Sequence, residues 1–558
     1  MGSPFFLSFL SGLFLAGAYP RFGFWFLAWV ALVPLLASIR RIGSPRQAFG
    51  TGFLSGFVFF SISLQWLTEV TSFGWLFVAG LEAVFFGLFA WCVWYARSFR
   101  SLGFRLIWIA ATWTTAEWLR GEIPILGFGW NLLAYSQSED LRGIQIADLI
   151  GAYGVGFLIA LWNVLAEEII ERARQAKKIW TRSGIFFLAI LALLRLSSGL
   201  YGTLALRTSP AEISPPIAVI QGNIAQNIKW VAEAREKILE IHSTLTKLAW
   251  FDRPELVIWP EAVFPGYFNQ DVLAGNLSAL ASEVGKPILF GSPRYETADK
   301  VYNSAYLIDR EGQVSERHDK IKLVPFGEYI PFKWILGFLT PIADAMGVGH
   351  FEAGTEYTVF RGWTLPFGVL ICFEDTFQDL ARRFMQRGAQ LLVVMTNDAW
   401  FGHSAAPYQH LQASVFRAIE NRIGVVRSAN TGISAFIAPS GKILAKVEDF
   451  EGRDIFVTGH RTQTVPLAGE QTFFNRFGYL FPQGVLIFFG LGLLRIRIAR
   501  VKREVLLLLI LPTIFLMSAC VRVQGTAGYW HQEDTSGEFE GKQASFDTAK
   551  LSGAMGEG

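Results

Sequence analysis

Charge and cysteine are both scarce in this chain. Of 558 residues only 17% are charged, while 52% are hydrophobic and 15% aromatic. So few charges cannot cover so much apolar side chain, which excludes a wholly soluble protein of this size. The net charge is only +3, with no long basic arm and no aromatic platform for stacking bases, so nucleic acid is not an expected partner. Three cysteines, Cys92, Cys372 and Cys520, are too few and too scattered for a disulfide framework or a CxxC metal site. The seven histidines form no HExxH pair and there is no phosphate-binding P-loop, so neither metal nor nucleotide is expected as a cofactor.

Long apolar runs are what the chain has in quantity. Seven precede residue 202, at about 4–18, 22–38, 50–70, 74–95, 106–119, 150–166 and 183–200; an eighth lies at 479–494 and a ninth candidate at 505–519. A spanning helix needs ~20 apolar residues, so the first and fifth are short. Lys and Arg of short loops stay on the cytoplasmic side. A cytoplasmic N-terminus would put Arg40, Arg41 and Arg46, then Arg97, Arg100 and Arg105, then the basic clusters at 172–182 and 495–503 inside. Only Arg21, Arg120 and Arg142 would fall in the short outside loops. Residues 1–201 therefore read as a seven-helix transmembrane domain that leaves the chain outside. Glu82 and Arg195 fall within spans, where snorkelling near a helix end is the blander account of them.

From Ile213 the pattern changes to short strands alternating with amphipathic helices, which marks 213–470 as one large α/β domain on the outer, periplasmic face. PPIAVIQGNI, ELVIWPEAVF, KPILFGS, YNSAYLID, GQVSERHDK, TLPFGVLICFED and AQLLVVMTND read as strands. Residues 226–250, TFQDLARRFMQRG and YQHLQASVFRAIENR read as helices, and 424–447 as a hairpin. Three of these pieces end in chemistry. Glu261 follows a buried apolar strand, Lys320 and Glu328 flank a loop punctuated by Pro and Gly, and Cys372 closes another strand. Strand ends are where open α/β sheets place their ligands. A thiol beside an ammonium and a carboxylate can act as a covalent nucleophile. Taken alone, though, a lone cysteine is more often a small buried hydrophobe.

The segments WPE (259–261), HDKIKLVPFGEYIP (318–331) and ICFED (371–375), in that order, resemble the Glu-Lys-Cys signatures of the nitrilase superfamily, an α-β-β-α sandwich. A seven-helix head, an outer nitrilase-like domain and a returning helix resemble, more narrowly, the apolipoprotein N-acyltransferases of the bacterial inner membrane. LVPFGEYIP, QGNIAQNIKW and GFGWNLLAYSQ (127–137) match that family specifically, and the likeness runs over about residues 1–500. The resemblance implies that Cys372 is the nucleophile, Glu261 the general base and Lys320 the stabiliser of the tetrahedral intermediate. Glu328, Glu374 and the loop residue Trp230 match further positions of the pattern. Phe373 stands where some members carry tyrosine. The implied reaction passes a phospholipid acyl chain to Cys372 as a thioester, then to the α-amine of a diacylated lipoprotein, in a monomeric inner-membrane enzyme.

Rival readings use the same residues differently. An anchored nitrilase-type amidase would keep the triad and hydrolyse small amides. A papain-like enzyme would need His403 or His410. A polytopic transporter or receptor would leave the triad without a reason. Beyond 494, a basic segment leads into an apolar run at 505–520 ending in Ser518-Ala519-Cys520, which resembles a lipoprotein signal and makes Cys520 a candidate lipidation site. The tail to residue 558 is polar and rich in Gly and Ser.

Overall fold

The computed structural model describes residues 3–71, 74–177, 182–207, 212–297, 300–337 and 350–500. The chain divides into two units, Met1–Ala499 and Arg500–Gly558. Cys520 and the lipobox-like segment lie outside the described residues.

The first part is helical: α1 (Pro4–Gly17), α2 (Val33–Arg41), α3 (Pro45–Ser63), α4 (Gly74–Tyr95), α5 (Leu102–Glu122), α6 (Ala147–Ala176) and α7 (Arg182–Ala205). Their starts are written in local chemistry. Ser3, Ser44 and Ser101 cap α1, α3 and α5 by accepting from the backbone N–H of Phe6, Gln47 and Phe104, and Pro4 and Pro45 follow the first two caps. Three helical segments among the described residues are long and apolar enough to cross a membrane: Gly74–Ser98, Ala147–Ala176 and Arg182–Ala205. Pro4–Gly17 and Leu480–Ile496 are shorter apolar helices.

The run expected at 22–38 is built in two pieces, a 3-10 turn at Trp25–Trp29 and then α2. Pro34 explains the break, since its missing N–H and fixed φ suit the first turn of a helix and no later position. α6 is kinked at Gly151, whose φ of 67° is open to glycine at no steric cost.

Two six-stranded sheets make up the second part. The first runs β12-β1-β2-β3-β4-β5, from β1 (Ile217–Gln221), β2 (Leu256–Ile258), β3 (Ile288–Thr297), β4 (Lys300–Ile308), β5 (Val314–Asp319) and β12 (Gly459–Gln463). The second runs β11-β10-β9-β8-β7-β6, from β6 (Val359–Phe360), β7 (Phe367–Ile371), β8 (Leu391–Thr396), β9 (Gly424–Ala429), β10 (Ala435–Ile437) and β11 (Ile443–Lys446). β1, β2 and β3 are parallel, as are β7, β8 and β9, which is why these strands are apolar on both faces. The facing sides share one core, in which Ile217, Val219 and Ile258 of one sheet meet Val369, Ile371 and Val393 of the other.

Outside the first sheet lie α8 (Arg235–Ala249) and α9 (Ala274–Val284), packed over Ala218, Val257 and Phe290. Outside the second lie α11 (Gln378–Gln386) and α12 (Ala406–Asn421), reached after a single helical turn, α10 (Lys333–Leu336). The layers are therefore α-β-β-α, the fold of the nitrilase superfamily, joined in one chain to a membrane helical domain. Two further helices, α13 (Phe473–Phe477) and α14 (Leu480–Arg500), return the chain to the first part, where Trp108 of α5 donates to Phe489 O (3.0 Å) and stacks on its ring.

Three differences from the expected elements have local causes. The helix expected over 226–250 begins only at Arg235, because residues up to 231 form a loop beside the site. The strand expected through Phe264 stops at Ile258, where Pro260 removes a ladder donor. The hairpin over 424–447 is a three-stranded meander.

Candidate active site

β7 ends at Ile371, and Cys372 then adopts φ 56°, a left-handed conformation that costs a non-glycine residue about 1–2 kcal/mol. That single residue turns the chain sharply from an extended strand into a 3-10 helix, Cys372–Thr376. The turn is locked from below by Glu374. One of its carboxylate oxygens accepts from Ile371 N (2.8 Å), and the other from Ile321 N (2.7 Å) and Lys322 N (2.9 Å). One buried side chain thus ties the Cys372 turn to the loop that carries Lys320. Burial pushes the Glu374 carboxyl up to about 7, against the pull of these N–H groups and of Lys320.

Lys320 follows β5 and is 1% exposed. Its ammonium donates to Glu328 Oε1 (2.9 Å) and to Glu261 Oε1 (3.3 Å). Burial works against its charge, yet Glu328, Glu261 and the nearby Cys372 hold its pKa well above the ordinary lysine range. Glu261 itself sits just beyond β2 and accepts from Asn303 Nδ2 (2.8 Å) and from Asn397 N (2.9 Å). Asn303 also donates to Glu328 Oε1 (3.0 Å), and Glu328 Oε2 accepts from Val324 N (2.8 Å). Glu261, Lys320, Glu328, Glu374 and Cys372 therefore converge on one buried centre between the two sheets. The Cys372 thiol is raised by burial first and by Glu261 second, with Lys320 opposing. Burial and Glu261 thus favour the protonated thiol, and Glu261 is the carboxylate placed to oppose its charge.

The remaining expected residues are placed differently. Phe373 is buried, stacked on Phe128 (centroids 6.0 Å apart) and edge-on to Phe377 (5.2 Å). Trp230 is 51% exposed on the loop before α8, outside the buried cluster, with the Lys229 ammonium 5.7 Å from its ring. His403 is exposed and lies over the ring of Phe456. His410 is buried between Asp375 (2.9 Å) and Asp398 (3.0 Å), and its Nε2 lies 3.2 Å from the carbonyl oxygen of Cys372. A papain-like pairing would instead require an imidazole on the thiol.

Four contributors escaped the sequence reading: Asn303, Asn397, Lys229 and His410 as a brace of the turn. Asn303 carried a faint signal, as an amide side chain beside Ser304 at the start of the apolar half of its strand. The membrane domain also reaches the site. Arg120 of α5, paired with Glu82 (3.0 Å), donates to Phe128 O and Trp130 O (both 2.9 Å), and Glu117 accepts from Leu133 N (2.6 Å). These bonds hold the 127–137 loop under the Cys372 turn, where a Cβ on Gly129 would lie 3.2 Å from Thr376 O. Beside the turn opens a cavity of about 810 Å³, lined by Ile123, Ile125, Ile330, Phe351 and Phe377 and by Lys322 and Lys333. Glu352, His350 and Tyr329 also line it, so its wall mixes apolar and polar groups.

The family model of the apolipoprotein N-acyltransferase N-terminal domain matches residues 11–165, and that of carbon-nitrogen hydrolase matches 216–461. An apolipoprotein N-acyltransferase of Geobacter metallireducens is 37% identical over 488 residues, 85% of this chain and 91% of its own length. One from Allorhizobium ampelinum is 34% identical, over 79% of this chain and 86% of its own. Among solved structures, an amidase of the nitrilase superfamily from Nesterenkonia is 20% identical, over 45% of this chain and 91% of its own, with a TM-score of 0.34. A membrane helical head of the first kind joined to a carbon-nitrogen hydrolase domain, with full-length relatives at this identity, makes this chain a member of the apolipoprotein N-acyltransferase family.

Proposed function

We propose that this membrane acyltransferase takes an acyl chain from a phospholipid onto Cys372 and passes it to the N-terminal amine of a diacylated lipoprotein. Glu261 receives the thiol proton as sulfur attacks the ester carbonyl, and Lys320 faces the oxyanion. Collapse breaks the ester C–O bond, Glu261 returns its proton to the departing lysophospholipid, and a thioester remains. The lipoprotein amine then attacks that thioester, loses its proton to Glu261 and leaves as an amide, restoring the thiol. Two substrates sharing one nucleophile in turn give ping-pong kinetics. Glu328 orients Lys320, Glu374 positions the turn, Phe373 packs the turn against the membrane domain, and Trp230, half-exposed on the loop before α8, is placed to meet substrate.

The observation that carries this reading is the convergence of Glu261, Lys320 and Cys372 in one buried cluster, with a roomy cavity of mixed apolar and charged lining opening beside the Cys372 turn. The loop charges support an inner-membrane location with the catalytic domain in the periplasm, and one chain holds all the groups named, as a monomer requires. The test is a lipopeptide assay. Incubated with phosphatidylethanolamine and a diacylated lipopeptide, the protein should add one acyl amide to the peptide, and C372A and E261Q should not. Release of free fatty acid or cleavage of small amides, with the peptide unchanged, would favour the amidase instead.

A further inference from the structure

Lys229 is a buried cation that the reaction above does not use. It is 2% exposed, and its ammonium donates to the backbone carbonyl oxygen of Glu261 (3.2 Å). None of the ion pairs among the described residues includes it, so a charge this deep has one backbone acceptor and N–H donors to spare. Burying an ammonium without a counter-ion is costly, and such groups concentrate where a charge comes and goes. The balance of the cluster shows where that charge arises. Lys320 is shared between the carboxylates of Glu261 and Glu328, so without Lys229 the centre would hold one more negative group than positive. When Glu261 takes the thiol proton and an oxyanion forms, the excess persists on the oxygen.

We propose that Lys229 is a second catalytic cation, whose spare N–H donors face the oxyanion formed at the carbon under attack by Cys372. The sulfur forms its bond to that carbon, the carbonyl π pair moves to oxygen, the thiol proton rests on Glu261, and two ammonium groups hold the new charge. Burial lowers Lys229 to about 8, opposed by Glu261 and Cys372. The titratable groups that interact with it are Glu261 beyond β2, Cys372 beyond β7 and His242 of α8. A lysine lowered this far would change charge within a range that an assay can reach.

The proposal rests on Cys372 being the nucleophile, and the experiment separates the two claims. The full chain in detergent is mixed with phosphatidylglycerol, a donor without an amine, and acyl-enzyme formation is followed by intact mass from pH 6.5 to 9.5. In the wild type the rate constant at saturating donor should fall as pH rises through about 8. K229R, which keeps its charge, should remove that fall. K229M should slow acylation about 100-fold with the donor KM within a few-fold, the size of losing one oxyanion donor. A wild-type rate flat across this range, or K229M within threefold of wild type, overturns the proposal and leaves Cys372 in place. No acyl mass on the wild type, or the same mass on C372A, overturns the nucleophile reading and the proposal with it.

Discussion

Removing the Glu374 carboxylate should uncouple the catalytic lysine from the nucleophile. In E374A three backbone N–H groups, those of Ile321, Lys322 and Ile371, lose their acceptor together. A buried donor left without a partner costs about 1–3 kcal/mol, so three would cost about 3–9 kcal/mol if nothing moved. The 321–322 segment is only half-buried and borders the cavity, so it can turn to water and relieve two of them. The expected loss of global stability is then about 1–3 kcal/mol, from Ile371 N alone. The catalytic loss should be larger, because a displacement near 1 Å of a positioned group costs about 100-fold in rate. Acyl-enzyme formation in E374A should fall at least that far, while hydrogen exchange quickens at Ile321, Lys322 and Ile371. A variant that acylates at the wild-type rate, with those three amides still protected, would refute the reasoning.

Two further perturbations test the frame around the site. Burial and Arg427 push His410 down, but Asp375 and Asp398 outweigh them and raise it from 6.5 to about 9. Its stabilising contribution is therefore complete below about pH 6.5 and lost as pH rises through about 9. The wild type should lose melting temperature over that interval and H410Q should not; parallel curves would show that His410 is no cation there. In the membrane domain, E82Q leaves Arg120 buried without its carboxylate, a change worth about 3–5 kcal/mol. Its melting temperature in detergent should drop, and because Arg120 holds the 127–137 loop, acylation should slow with it. Unchanged melting would contradict the brace.

What the sequence disclosed was whatever it keeps contiguous. WPE, the Lys320 to Glu328 loop and ICFED are each a few residues long, and each pairs a functional group with the strand end or turn that presents it. Glu261, Lys320 and Cys372 could be named for that reason. Lys229, Asn303 and Asn397 could not. They meet Glu261 only because β1 and β4 share its sheet and β8 lies in the sheet packed against it, and no spacing along the chain encodes that meeting. His410 was legible as a histidine but weighed for the wrong partner, since its contact is the carbonyl oxygen of Cys372. The apolar runs marked the helices, while Pro34 and Gly151 set breaks inside them that hydropathy averages away. Trp230 shows the reverse case: it was legible by likeness, yet it lies half-exposed on its loop, outside the buried cluster.

The most direct measurement is the mass of the enzyme itself after brief mixing with phosphatidylethanolamine, without acceptor, followed by fragmentation of the peptide that contains Cys372. The expected result is one acyl chain on that cysteine, labile to neutral hydroxylamine as a thioester and discharged within one turnover by a diacylated lipopeptide amine. An acyl group on any other residue, or lipopeptide acylation in a protein that never carries one, would contradict the central claim.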